Sequence, residues 1–101
     1  PNTVFCGNIK IGNNVMIAPN CTIAGGNHKF SDTTKPIRCQ GSSSSGIIIE
    51  DNVWIGANCT ILDGVTIKQG SVIGAGSVVS KSIEEFSVAM GNPCKVVRKR
   101  V

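Results

Sequence analysis

The sequence predicts an all-β fold, a parallel β-solenoid of triangular coils with a long inserted loop and a short C-terminal helix. Three observations predict it. Large apolar residues recur every six positions: Phe5, Ile11, Ile17 and Ile23, then Ile49, Ile55, Ile61, Ile67, Ile73 and Val79. Three positions after each stands Asn or Gly: Asn8, Asn14, Asn20 and Gly26, then Asn52, Asn58, Gly64, Gly70 and Gly76, until Ser82 breaks the column. Small or β-branched residues form a third column, one position later: Val15, Cys21, Val53, Cys59, Val65, Ser71 and Ser77. Fixed-period self-similarity marks stacked repeats. A β-sandwich has no reason to hold a period of six through ten rungs.

Each column has a physical reading. Asn and Gly tolerate positive φ best, and a type II turn requires positive φ at its third residue. Each hexad is therefore a short strand plus one tight turn. Side chains alternate across a strand. The small column thus shares its inward face with the rung that follows, while Met16, Thr22, Trp54, Thr60, Thr66, Val72 and Val78 point outward. Three hexads make a coil of 18 residues, which stacks Ile49 on Ile67, Ile55 on Ile73 and Ile61 on Val79. The usual crossover rule predicts right-handed winding, and nothing in the repeat alone overrides it.

Taken in order, a single domain over 1–101 has coils at 5–23 and 47–82, an inserted loop at 24–46 and a tail at 83–101. Ile23 to Ile49 spans 26 residues, one hexad plus an insertion of 20. Loops that long inside a compact fold are usually functional or disordered, and this one carries His28, the only histidine. In the tail, Asn92-Pro93 reads as an N-cap followed by an N1 proline, which predicts the helix.

Composition narrows the function classes. No apolar run approaches the ~20 residues of a membrane span. The N-terminus lacks a basic region followed by an apolar stretch, so no signal peptide is expected. Five cysteines without a CxxC pair argue against disulfides and thiolate metal sites and for a reducing cytoplasm. Much of the net charge of +4 lies in the tail, at Lys95, Arg98, Lys99 and Arg100. Aromatic residues are limited to Trp54, Phe5, Phe30 and Phe86, too few for base stacking, so nucleic acid is not an expected partner.

The stretches Ile11-Gly12-Asn13-Asn14-Val15, Ile17-Ala18-Pro19-Asn20, Asn27-His28, Val53-Trp54-Ile55-Gly56-Ala57, Ile73-Gly74-Ala75-Gly76-Ser77 and Gly91-Asn92-Pro93-Cys94-Lys95 resemble the hexapeptide-repeat acetyltransferases. The sequence looks closest to maltose, galactoside and bacterial-polysaccharide O-acetyltransferases. The resemblance covers nearly the whole chain and implies a left-handed β-helix, a homotrimer with sites between neighbouring chains, and acetyl-CoA as donor with no metal required. The acceptor it implies is a small molecule or polysaccharide, most simply a sugar hydroxyl. Such enzymes carry an N-terminal segment that helps bind the acceptor. Almost nothing precedes Phe5, so that segment is expected to be missing here.

The resemblance also assigns roles. His28 would be the general base and the backbone N–H of Ala57 the oxyanion donor. Trp54, Gly74 and Ala75 would line the pantetheine arm, and Lys81, Lys95, Arg98 and Arg100 would meet the cofactor phosphates. Asn2 and Asn27 would contact the acceptor. Imidazole suits proton transfer near neutral pH, although a lone histidine read without the resemblance is more often structural or solvated. An outward Trp54 suits a ligand wall and a subunit interface equally, and a basic tail equally suits water. A cysteine nucleophile is not expected, because Cys21 and Cys59 fall in the inward column and Cys39 has no motif. A zinc-dependent carbonic anhydrase of solenoid form needs three histidines, and an ice-binding solenoid needs flat Thr ladders. Neither fits. The remaining alternative is a truncated or inactive trimeric scaffold.

Overall fold

The computed structural model describes residues 2–101. Three parallel sheets form the walls of a prism. The first wall stacks Val4–Gly7, Thr22–Gly25, Thr60–Leu62 and Val78–Val79. The second stacks Ile9–Ile11, Ile47–Ile49 and Thr66–Ile67. The third stacks Met16–Ile17, Trp54–Ile55, Val72–Ile73 and Ser87–Gly91, with Cys94–Lys99 added antiparallel at its edge. The expected stacking holds: Ile49 pairs with Ile67, Ile55 with Ile73 and Ile61 with Val79. The two runs of rungs join across the insertion, where Ile23 pairs with Ile61 and Ile11 with Ile49.

The core is a single aliphatic column. Ile23, Ile49, Ile55, Ile61, Ile67, Ile73 and Val79 are buried, together with Cys21, Val53, Cys59, Val65, Ser71 and Ser77 from the small column. Burying one Ile side chain is worth about 1.5–3 kcal/mol, so the stack is held by repetition of one contact. Phe5 and Ile11, at the N-terminal end of the stack, are exposed.

Asn14, Asn20, Asn52 and Asn58 take φ of 58–63°, and Gly64, Gly70 and Gly76 also have positive φ. Asn8 and Gly26 depart from their column. At that corner the first-wall strands run on through Gly7 and Gly25, and Gly7 takes φ 81° instead. A Cβ there would lie 2.4 Å from the Gly25 carbonyl oxygen, so only glycine fits. At an ordinary corner the turn chemistry can be tested. Asn52→Val should lower stability by roughly 1–2 kcal/mol, the cost of a left-handed L-residue, while Asn52→Gly should be neutral. Chemical denaturation checks this, and equal midpoints for the two variants would contradict the turn assignment.

The expected C-terminal helix does not form. Among the described residues, Asn92-Pro93 lies in the turn between Ser87–Gly91 and Cys94–Lys99. The last parallel strand of the third wall would otherwise leave its N–H and C=O groups unpaired along one edge. The tail, with β-branched Val96 and Val97, supplies that partner as a strand. The coil also extends past Val79. Ile83 is buried and bridges to Ile67, and Ala89 is buried opposite Ile73. Ile83 follows Ile67 by 16 residues rather than 18, so this coil has a shortened corner, and Ser82 stands in it where the Asn/Gly column fails. Phe86 takes the turn position with φ 52° and lays its ring against Gly70. Lys99 Nζ donates to the Glu85 carbonyl at 2.6 Å, which ties the tail over the end of the prism. No helix among the described residues is long and apolar enough to cross a membrane.

Candidate active site

The inserted loop leaves the first wall after Gly25 and re-enters the second at Ile47. Gly7 pairs with Gly25 and Ile9 with Ile47, so the coil resumes in register on the far side. The base of the loop is a small antiparallel pair, Asn27 opposite Ser43 and His28 opposite Ser42. Lys29 N–H donates to the Gly41 carbonyl at 3.0 Å, and the Ser44 hydroxyl donates to the Gly25 carbonyl. On the return, the Asp63 carboxylate accepts from Ser45 N–H and Gly46 N–H, both at 2.8 Å.

The outer part is tied to itself. The Asp32 carboxylate accepts from Thr34 N–H and hydroxyl at 2.9 and 2.6 Å, and these bonds hold it below the usual carboxylate range. The Gln40 amide donates to the carbonyls of Asp32 and Lys35 at 2.7 and 2.8 Å and accepts from Asp32 N–H at 3.1 Å. The loop is thus a built element rather than a slack connection. His28 stands at its braced base.

The His28 side chain is exposed and has no hydrogen-bond partner among the described residues. It borders two depressions. The smaller, about 300 Å³, is lined by Cys6, Asn27, His28 and the serines 42–44. The larger, about 520 Å³, runs past Asn27 and His28 to Phe30 and Ser31. Asn27, the residue before His28, lines both. Cys6 escaped the sequence reading as a site residue. Its one signal was outward parity next to rung Phe5.

The other expected residues lie elsewhere on the prism. Trp54 is 52% exposed on the outer surface of the third wall, in register between Met16 and Val72. Val88 pairs with Val72 on one side and Arg98 on the other, and Lys95 pairs with Met90, so both cations belong to the edge of that wall. Lys81 is exposed at the shortened corner. Arg100 is engaged, its guanidinium donating to the Gly70 carbonyl at 2.7 Å. Asn2, with φ 63°, is exposed one coil before Asn20, on the corner that carries Asn58 and Gly76.

That corner, between the third and first walls, offers backbone donors. Gly56 N–H donates to the Ile73 carbonyl and Gly74 N–H to the Ala89 carbonyl, both at 2.8 Å. The next N–H in each coil, on Ala57 and Ala75, has no partner among the described residues. In the first coil the same position is Pro19, which has no N–H. Two N–H donors, one coil apart, are therefore stacked without a partner among the described residues.

Neither depression at His28 includes Trp54, Ala57 or Ala75. One chain thus places the candidate base and the candidate donors on different corners. Cys21 and Cys59 are buried, as the inward column implied. Burial pushes the Cys59 thiol up, and its sulfur donates to the Gly74 carbonyl at 3.2 Å.

Residues 46–81 match the bacterial transferase hexapeptide family, described as six repeats. The chain is 45% identical to a galactoside O-acetyltransferase of Lactococcus lactis, over 90% of this chain and 43% of that protein. A galactoside acetyltransferase solved in complex with coenzyme A superposes with a TM-score of 0.87 at 41% identity, covering 98% of this chain and 50% of that one. A hexapeptide-repeat-containing acetyltransferase of Vibrio cholerae, complexed with acetyl coenzyme A, gives 0.89 at 32% identity, over 99% and 55%. The chain spans about half the length of the curated relatives it matches, 55% of one from Staphylococcus aureus that is 50% identical over 91% of this chain. It shares with these structures the left-handed β-helix. The right-handed rule belongs to crossovers packed back on a twisted sheet, and tight corners between short strands escape it.

Proposed function

The chain belongs to the hexapeptide-repeat family of bacterial transferases, and from that premise we propose that it is the β-helical part of an acetyl-CoA-dependent O-acetyltransferase. The acceptor is a sugar or polysaccharide hydroxyl and His28 is the general base. The observation that carries this reading is the pair of unpartnered N–H groups on Ala57 and Ala75, on the corner that follows Trp54.

Acyl transfer from a thioester needs a base, an oxyanion donor and a track for the cofactor. Ala75 N–H, with Gly74 beside it, offers a bond to an amide of the pantetheine arm, and Trp54 offers a wall. Ala57 N–H meets the negative charge that develops on the thioester oxygen. His28 takes the proton of the acceptor hydroxyl as its oxygen bonds to the acetyl carbon, then returns it to the departing thiolate. Because base and donors lie on different corners of one chain, the complete site forms between neighbours in a homotrimer. The exposed apolar surface of Met16 and Trp54 supports that packing.

Free-thiol release from acetyl-CoA, followed against a panel of glycosides, tests the activity. Release should depend on the acceptor. Coenzyme A binding without release on any hydroxyl or amine acceptor would leave only a scaffold. Among the cations, Arg98 is free to reach a phosphate and Arg100 is committed to Gly70. Arg98→Ala should weaken coenzyme A binding about tenfold, the scale of one charge-assisted hydrogen bond, and leave 3′-dephospho-coenzyme A unchanged. Equal losses on both cofactors in calorimetry would place Arg98 away from that phosphate.

A further inference from the structure

We propose that Cys21 is a positioning residue whose buried thiol aims the Ala57 N–H outward. The inference rests on the reading of Ala57 as oxyanion donor. The peptide joining Gly56 to Ala57 carries the Gly56 carbonyl on one side and the Ala57 N–H on the other, because a trans peptide points them in opposite directions. Whatever holds the carbonyl inward therefore holds the N–H outward. Gly56 is buried. Its carbonyl has one partner among the described residues, the Cys21 sulfur at 3.2 Å, from the coil before. That thiol is itself fully buried, and among the described residues its only other acceptor is the Pro19 carbonyl at the longer distance of 3.9 Å.

A thiol is a weak donor, yet the alternative for this carbonyl is a buried acceptor with no partner, which is the costlier state. The next coil repeats the device with a difference. The Gly74 carbonyl accepts from Cys59 Sγ at 3.2 Å and also from Ser77 Oγ at 2.6 Å. The Ala75 peptide is thus held twice and the Ala57 peptide once. Gly56 leaves the corner no room to shift sideways, since a Cβ there would lie 2.7 Å from Ala75 N. The remaining freedom of the Ala57 peptide is rotation, and the thiol of Cys21 opposes it.

The test is steady-state kinetics and coenzyme A binding on four proteins: wild type, Cys21→Ser, Cys21→Val and Cys59→Val. Cys21→Ser keeps a donor and should keep kcat within about twofold of wild type. Cys21→Val fills the space without a donor. It should lose kcat by roughly 10- to 100-fold, short of the ~10²–10³ for deleting an oxyanion donor outright, with the Kd for coenzyme A unchanged. Cys59→Val should keep its kcat because Ser77 still holds Gly74. Should Cys21→Val fail to fold, the amide resonance of Ala57 decides, compared between wild type and Cys21→Ala. It should shift in the variant, where the peptide is released to turn, while that of Ala75 stays put. Equal kcat in Cys21→Ser and Cys21→Val, or an unmoved Ala57 resonance, would overturn the positioning role and leave the acetyltransferase reading intact. A wild type that binds coenzyme A yet transfers to no acceptor would overturn that reading instead, and this proposal with it.

Discussion

His28→Ala should reduce turnover by about 10²–10⁴-fold, the contribution expected of a general base, with the melting temperature nearly unchanged. The two halves of this expectation have separate grounds. Among the residues lining the two depressions, the imidazole is the side chain suited to taking and returning a proton at neutral pH. Stability should barely respond, because the imidazole is exposed and has no bond among the described residues, and alanine preserves the backbone pairing of residue 28 with Ser42. Surface changes of this kind usually stay within about 0.5 kcal/mol. Initial rates at saturating acetyl-CoA, paired with a thermal melt, give both numbers. A fully active variant on the true acceptor would remove His28 from the mechanism. A large loss of melting temperature would make it a structural histidine.

Much of the fold was legible because the repeat writes each physical requirement into its own column. The rungs Ile49, Ile55 and Ile61 and the small residues Cys21, Val53 and Ser77 are buried where the parity of the strands puts them. Asn14 and Asn52 have the positive φ their column requires. Two of the failures have one cause, which is that a neighbour in space outweighed the local signal. Asn92-Pro93 carries a helix-start pattern, but an open sheet edge took the tail as a strand. Asn8 and Gly26 sit in the turn column, but the inserted loop lengthens the strands at that corner and moves the turn to Gly7.

The site was less legible. His28 is conspicuous as the only histidine, and outward Trp54 follows from parity. The clamps that make the loop a support, Asp63 and Gln40, have no local pattern, since their partners are backbone groups up to 18 residues away. The free N–H of Ala57 is likewise invisible in a sequence. It exists because the corner directs the Gly56 carbonyl to Cys21, a contact across 35 residues.

The central claim is that His28 of one chain serves the donors of the next. Two inactive proteins test it: His28→Ala, which lacks the base, and Ala75→Trp, which fills the exposed corner next to the Ala75 donor. Each alone should be inactive. Unfolded together in equal amounts and refolded, they form mixed trimers. In a closed ring each interface draws on two chains independently, so about a quarter of the interfaces should pair an intact His28 with an intact corner. Acetyl transfer should therefore return to about a quarter of the wild-type rate per site, as chance pairing in a ring requires. Mixed trimers that form and remain inactive would place base and donors in the same chain and contradict the account.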